Sequence, residues 1–430
     1  MSELSRFFSA DATAAAEASL SAVAQGMVPS RILVLSYAVR EAIARGAKVA
    51  QFTVGDFAPA QFAVPPELAG WIGEAVAAGE TNYPPADGVL ALRQAIRDHY
   101  AEVLGLDYPL ASVVVGSGAR PGLYGVFRCL LDPGEVVVTP APSWNNDNFA
   151  QLVGARHVAV PCRPEDAFMP TAEALGPHLR EARLLVLCSP MNPCGTMIRE
   201  GQLAAICDQV LAENARREAA GERLLYVVFD QVYRMLVFGD QAHVTPVGVA
   251  PAMAKYTIFC DAISKCFAAT GLRVGWVVAP PVVADRLRAL LTHMGAWAPR
   301  PEQVAVARLL RDGPAMDRYL TGFKAAVRAR LDVIHEAFEG FAAEGLPVKA
   351  IAPEGAMYLS VYLGIEDRLG GEDAVREYLL AAAGCAVLPF SVFGDTTNRG
   401  WWRFSVGAVG IEETQACMAR LGEALRRIAG

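Results

Sequence analysis

Residues 256–279 read "YTIFCDAISKCFAATGLRVGWVVA", and this stretch decides the fold. Its two ends, "YTIFC" and "VGWVVA", are short, apolar and rich in β-branched and aromatic residues. Neither alternates with polar positions, which is the pattern of strands buried between two layers of helix. Between them stands Lys265, in a chain whose lysines are Lys48, Lys255, Lys265, Lys324 and Lys349. An amine at the mouth of a buried strand is desolvated, which favours its neutral form. A neutral amine is a nucleophile towards carbonyl carbon. Taken alone, Lys265 also fits a plain strand-end lysine, its stem on apolar surface and its head in water.

Five more runs share this texture: "SVVVG" (112–116), "EVVVT" (135–139), "HVAVP" (157–161), "LLVLCS" (184–189) and "LLYVVF" (224–229). Helical patterns such as "EGQLAAICDQVLAENARREAAG" (200–221) separate them. Strands alternating with helices predict an α/β fold with a mostly parallel sheet. Towards the C-terminus the texture changes. Phe323, Val327, Leu331, Ile334, Phe338 and Phe341 recur at spacings of four and three. That spacing predicts a long amphipathic helix, with Thr321 capping its start and Gly345 its end. "GAMYLSVYL" (355–363) and "GWWRFSVGA" (400–408) then read as strands of a smaller sheet. A chain of 430 residues favours two domains.

Hydrophobic residues at 53% and charged residues at 19% exclude a disordered or fibrous protein. A formal charge of −7 gives no electrostatic case for nucleic acid. No uncharged apolar run reaches the roughly 18 residues of a membrane helix. The N-terminal "MSELSRFFSADATAAAEASLSAVAQG" carries early acids and no unbroken apolar core. It reads as an Ala-rich helix or flexible extension rather than a secretory signal. Nine cysteines without a C-x-x-C pair, mostly inside apolar runs, point to a reducing cytoplasm. The six histidines are dispersed, so no metal site is expected.

Three further segments carry candidate chemistry. "GSGARPG" (116–122) joins a strand to a helical pattern, and N–H groups at a helix start attract phosphate. It lacks the G-K-[ST] of a P-loop, and an ordinary strand-to-helix turn fits it as well. "CSPMNPCGT" (188–196) sets Asn192, both donor and acceptor, in a proline-rich turn; a simple turn role is the alternative. "LLYVVFDQVYRML" (224–236) ends a very apolar strand in Asp230, whose carboxylate needs a donor or cation. Tyr233 follows one turn later. These segments and Lys265 all fall at carboxyl ends of expected strands, where α/β sheets bind ligands. Together they describe one pocket for a phosphate, a carbonyl and a basic ring nitrogen.

The ordered set "FTVGDFAP", "NYPPADGVLALRQAI", "GSGARPGLYGVF", "APSW", "SPMNPCGT", "FDQVY", "SKCFAATGLRVGW" and "WWRFSVG" resembles the fold-type I pyridoxal-phosphate enzymes. Within them it is similar to the class I/II aminotransferases related to aspartate aminotransferase. The resemblance runs from residue 28 to the C-terminus. It implies a three-layer α/β sandwich with a mostly parallel central sheet, plus a smaller α+β domain. The expected division is a helical extension (1–27), the N-terminal part of the small domain (28–60), a large cofactor-binding domain (61–305) and a C-terminal small domain (306–430).

By position, Lys265 resembles the lysine that carries pyridoxal 5′-phosphate covalently. Arg273 resembles the arginine on its phosphate, and the backbone of Gly118, Ala119 and Arg120 completes that cradle. Asp230 matches the aspartate on the ring nitrogen, and Asn192 and Tyr233 the groups at the phenolic oxygen. Trp144 matches the aromatic residue on one ring face, with Val232 on the other. Tyr83 resembles a tyrosine that reaches the neighbouring subunit's phosphate, implying a homodimer with shared active sites. Arg403 is similar to the arginine that binds the substrate α-carboxylate, with the backbone of Gly55 nearby. Relatives often carry serine where this chain has Ala262, and Ser264 is the candidate replacement.

Such a site moves an amino group from an L-α-amino acid to a 2-oxo acid. An ionised Asp230 a few Å from the ring nitrogen contributes roughly 4 kcal/mol at an effective dielectric of 20, about three pKa units. Lys265 serves as the base at Cα, and Arg403 orients the substrate through a bidentate pair. Arg120 occupies the place of a lysine near the distal carboxylate in some bacterial aspartate aminotransferases, so acidic substrates are expected; a purely phosphate-turn or surface role is the alternative. Other chemistry on the same cofactor (C–S lyase, decarboxylase or oxidase) and a non-catalytic regulator remain the competing readings.

Overall fold

The seven apolar runs become the seven strands of one sheet: β1 (Val113–Ser117), β2 (Val136–Ala141), β3 (Arg156–Pro161), β4 (Ala182–Cys188), β5 (Tyr226–Asp230), β6 (Thr257–Ala262) and β7 (Val274–Val278). The computed structural model describes residues 4, 7–8, 10–144 and 146–429. Strand order across the sheet is β1-β7-β6-β5-β4-β2-β3. β7 alone runs against the rest, pairing antiparallel with both β1 and β6. The helices that bear on the site are α1 (Arg31–Ala44), α2 (Ala119–Leu130), α3 (Glu200–Ala220), α4 (Ile263–Cys266) and α5 (Gly313–Ala343).

Successive strand residues point to opposite faces, and both faces are apolar here. Val137, Leu184, Val186, Val228 and Ile258 pack with Leu123, Val126 and Phe127 of α2. Val138, Leu185, Leu187, Val227 and Phe229 pack on the other side with Leu203, Ile206 and Val210 of α3. Helices on both faces of one sheet give the three-layer sandwich, and they account for strands without polar alternation.

A second, antiparallel sheet contains β8 (Val348–Ala350), β9 (Tyr358–Leu363), β10 (Leu388–Pro389) and β11 (Trp401–Ser405), in the order β10-β11-β9-β8. All six apolar residues of the anticipated long helix lie in its core, together with Phe52, Phe57 and Phe62. Burying each such side chain contributes about 1.5–3 kcal/mol. The helix itself corrects the sequence reading, because α5 starts at Gly313 and not at Thr321. Asp312 caps it by accepting from the Ala315 N–H at 3.0 Å, and Pro314 occupies the first turn. The Thr321 hydroxyl instead donates back to the Asp317 carbonyl inside the helix. The Ala-rich N-terminal stretch is helical over Ala10–Ala18 and Ala22–Gln25. Among the described residues no helix is long and apolar enough to cross a membrane.

Candidate active site

β1, β4, β5 and β6 are parallel, so their carboxyl ends share one edge of the sheet. Gly118 follows β1, the 188–196 turn follows β4, Asp230 ends β5, and Lys265 sits in α4 just past β6. β7 runs the other way, so its beginning lies at that same edge and brings Arg273 there. A cavity of about 450 Å³ opens at this point. Gly55, Ala119, Arg120, Trp144, Asn192, Asp230, Val232, Tyr233, Ser264, Lys265, Arg273 and Arg403 all line it.

At one end, Arg273 has φ +56° and donates to the carbonyls of Thr270 (2.6 Å) and Ser117 (3.1 Å). Gly118 has φ +82°, and a Cβ there would overlap the Arg273 guanidinium. A Cβ on Gly275 would come within 2.5–2.8 Å of the Gly118–Ala119 backbone. α2 begins here without a side-chain cap, so its first N–H groups remain available to an anion. The Ser264 side chain is buried in the adjoining wall.

Lys265 occupies the centre. Its Nζ donates to the Gly55 carbonyl. Burial lowers its pKa to about 8, aided by the charges of Arg120, Arg403 and Arg273 and opposed by Asp56. Among the described residues the Asp230 carboxylate accepts one hydrogen bond, from the Val232 N–H at 3.2 Å. Burial raises its pKa to about 7; the Asp261 charge adds to this, while the Val232 bond and Lys265 oppose it. Cys188 and Cys260 pair with Asp230 in register on the flanking strands, and burial holds both thiols protonated. The Tyr233 hydroxyl meets that of Tyr358 at 2.6 Å.

Arg403, 1% exposed, lies opposite. Its Nη1 donates to Asn192 Oδ1 at 3.1 Å and its Nη2 to the Thr53 carbonyl at 2.6 Å. Its Nε has no partner, and no carboxylate pairs with it among the described residues. The guanidinium is flanked by the rings of Tyr358 at 4.7 Å and Phe393 at 4.8 Å. The Arg120 guanidinium lies over the Trp144 ring at 4.4 Å. Burial, then the neighbouring Arg273, lowers the Arg120 pKa.

Tyr83 is the one anticipated site residue remote from this cavity; it is 80% exposed and packs edge-on against Trp297 at 5.1 Å. Sequence reasoning missed Tyr358, Thr53, Asp56, Thr270 and Arg40. Tyr358 and Thr53 touch the site residues Tyr233 and Arg403, and Asp56, Thr270 and Arg40 line the cavity. Thr270 donates to Asp56, which also accepts from the Phe57 N–H at 2.8 Å. Tyr358 lay in an anticipated strand, but nothing local marked its contact with Tyr233.

The donor set fits pyridoxal 5′-phosphate. Arg273 and the uncapped start of α2 form an anion cradle that a side chain at Gly118 would fill. A lysine of lowered pKa, an under-bonded carboxylate and an arginine with a free donor complete it.

The model of the family described as aminotransferase class I and II matches residues 48–421. A probable aspartate/prephenate aminotransferase of Aquifex aeolicus is 27% identical over 93% of this chain and 97% of its own length. An arginine–pyruvate transaminase of Pseudomonas aeruginosa is 30% identical over 84% of this chain and 86% of its own. An aspartate aminotransferase of Thermus thermophilus solved with maleate shares the fold, with TM-score 0.84 at 24% identity over 94% of this chain and 99% of that one. The chain belongs to the aminotransferase class I and II family and is a pyridoxal 5′-phosphate-dependent transaminase.

Proposed function

We propose that the amino donor is an acidic L-α-amino acid, aspartate or glutamate, with 2-oxoglutarate or oxaloacetate as acceptor. One observation carries this reading. Arg120 presents a guanidinium in the cavity, braced by Trp144, with no paired carboxylate among the described residues. An arginine so placed suits a second carboxylate on the substrate. The names of the Aquifex and Thermus relatives, which specify aspartate, agree.

The geometry supports the following roles. When bound, pyridoxal 5′-phosphate supplies an aldehyde and an electron-accepting ring that makes the substrate Cα proton acidic. Arg273, Ser264 and the backbone of Gly118, Ala119 and Arg120 would hold the phosphate. Trp144 and Val232 would cover the two ring faces, and Asn192 and Tyr233 would meet the phenolic oxygen. Asp230 would accept a hydrogen bond from the protonated ring nitrogen. That role requires the ionised carboxylate, so the burial that discourages ionisation in the free protein is offset by a bound cation. Lys265 would hold the cofactor through its aldehyde and would serve as the base at the substrate Cα. Arg403, which has no paired carboxylate among the described residues, would clamp the substrate α-carboxylate, with Gly55 beside it.

Tyr83 stands away from its own cavity, which supports a reach into the partner's site and hence a homodimer. Nine cysteines without a disulfide support a cytoplasmic location. The separate apolar core around α5, the second sheet and Phe52 and Phe57, beside the two that cover the faces of the large sheet, supports the division into large (61–305) and small (28–60 and 306–430) domains behind the 1–27 extension. The test of substrate class is kcat/KM for aspartate, aromatic and aliphatic donors in wild type and Arg120→Ala. A loss of roughly 100-fold confined to acidic donors is expected for removal of a desolvated ion pair. An equal loss for every donor overturns the acidic assignment.

A further inference from the structure

A buried ion pair lies behind Asp230, one residue beyond its register partner. Asp230 pairs with Cys260 across β5 and β6, and Asp261 is the next residue of β6. Asp261 Oδ2 accepts from Arg234 Nε at 2.6 Å, with both side chains almost fully buried. Asp261 Oδ1 accepts from the Ala262 N–H at 2.8 Å. Arg234 in turn closes the 230–234 turn, donating from its N–H to the Gln231 carbonyl at 2.8 Å. This turn carries both Asp230 and Tyr233.

The other titratable groups around the pair are neutral. Burial pushes His99 and His243 down to about 3, with the Arg234 charge contributing. Burial raises the Tyr100 phenol and the Cys260 and Cys266 thiols, and the Tyr100 hydroxyl accepts from Gln231 (2.9 Å) and Trp276 (3.2 Å). The charges facing Asp230 are therefore Lys265 on the cavity side and Asp261 behind. Arg234 lies beyond Asp261. Its charge acts on Asp261, whereas Asp261 acts on both Arg234 and Asp230.

We infer that Asp261, pinned by Arg234, is a positioning residue that strengthens the hold of Asp230 on a proton at the cofactor ring nitrogen. The inference rests on the assignment of Asp230 to that nitrogen. A second fixed negative charge behind the first makes the proton between carboxylate and ring harder to remove. Burial raises the Asp261 pKa and Arg234 opposes that rise, so the cation favours the ionised form; a buried carboxylate without it takes up a proton instead. Loss of either member thus removes the same negative charge.

The test is ¹⁵N NMR of holoenzyme reconstituted with ring-¹⁵N pyridoxal 5′-phosphate, titrated with pH, alongside the thermal midpoint of each apoprotein. Asp261→Asn and Arg234→Gln should each lower the pH at which the ring nitrogen loses its proton, by about one unit or more. Arg234→Lys, which retains the cation, should stay near wild type. Two variants guard against one failing to fold. An unchanged ring-nitrogen titration in a folded Asp261→Asn or Arg234→Gln protein, with only a lower thermal midpoint, overturns the inference and leaves the pair as fold support. Asp230→Ala separates the two failures. If its ring nitrogen stays protonated as in wild type, the assignment of Asp230 falls rather than the role of the pair.

Discussion

Two buried arginines stand at opposite edges of the same chain, and their surroundings could hardly differ more. Arg217, at the end of α3 near the amino ends of the parallel strands, engages all three of its guanidinium nitrogens. It meets Glu213 at 2.6 Å and donates to the carbonyls of Leu179, Arg180, Ala182 and Arg223. These bonds close chain ends that would otherwise bury unpaired carbonyls. Arg403, at the cavity, is equally buried but has no paired carboxylate among the described residues and an idle Nε. Burial alone therefore does not mark a functional charge. A buried charge at a cavity with no paired carboxylate and a donor to spare does, because its desolvation is offset only when a ligand arrives.

Replacement of each arginine by methionine sharpens the contrast. Arg403→Met should cost about 10²- to 10³-fold in kcat/KM for the amino donor, the loss expected for a desolvated, hydrogen-bonded charge pair. Its thermal midpoint should hold or rise, since an uncompensated buried charge is removed. Arg217→Met should do the reverse. Its folded state should lose about 3 kcal/mol in denaturant titration, as buried pairs do when one partner goes. Its kcat/KM per folded molecule should match wild type. Similar stability losses for the two variants would break the distinction.

A smaller effect separates Lys265 from an ordinary lysine. Burial lowers its pKa from 10.5 to about 8 in the free protein. The amine is thus charged below that value and increasingly neutral above it. The rate at which apoprotein combines with pyridoxal 5′-phosphate should climb with pH and level off, with a midpoint near 8. A midpoint near 10.5 would mean that the amine is solvated like any surface lysine.

The same contrast explains what could be read from the sequence. The seven strands were legible because each carries a short apolar run, β-branched in most of them and on both faces in the central strands, a local property of five or six residues. Lys265, Asp230 and Asn192 were legible because strand ends in parallel sheets converge by rule. Arg403 entered only through resemblance. What holds it, the Thr53 carbonyl, lies 350 positions away, and the Tyr233–Tyr358 contact spans 125. Such contacts depend on how the two sheets meet, which no local pattern encodes. The start of α5 failed for the opposite reason. Thr321 and Asp312 are both acceptable caps, and the choice fell to Asp312 with Pro314 behind it. The Asp261–Arg234 pair was invisible because two charges inside otherwise apolar runs carry no sign of facing each other.

The account stands on which amine bears the cofactor. Purified holoenzyme should be reduced with borohydride, digested and examined by peptide mass spectrometry for the pyridoxyl-phosphate mass increment. The account predicts that increment on the peptide containing Lys265, and its absence from those with Lys48, Lys255, Lys324 and Lys349. A label on any of those four, or no label on reduced holoenzyme, contradicts it.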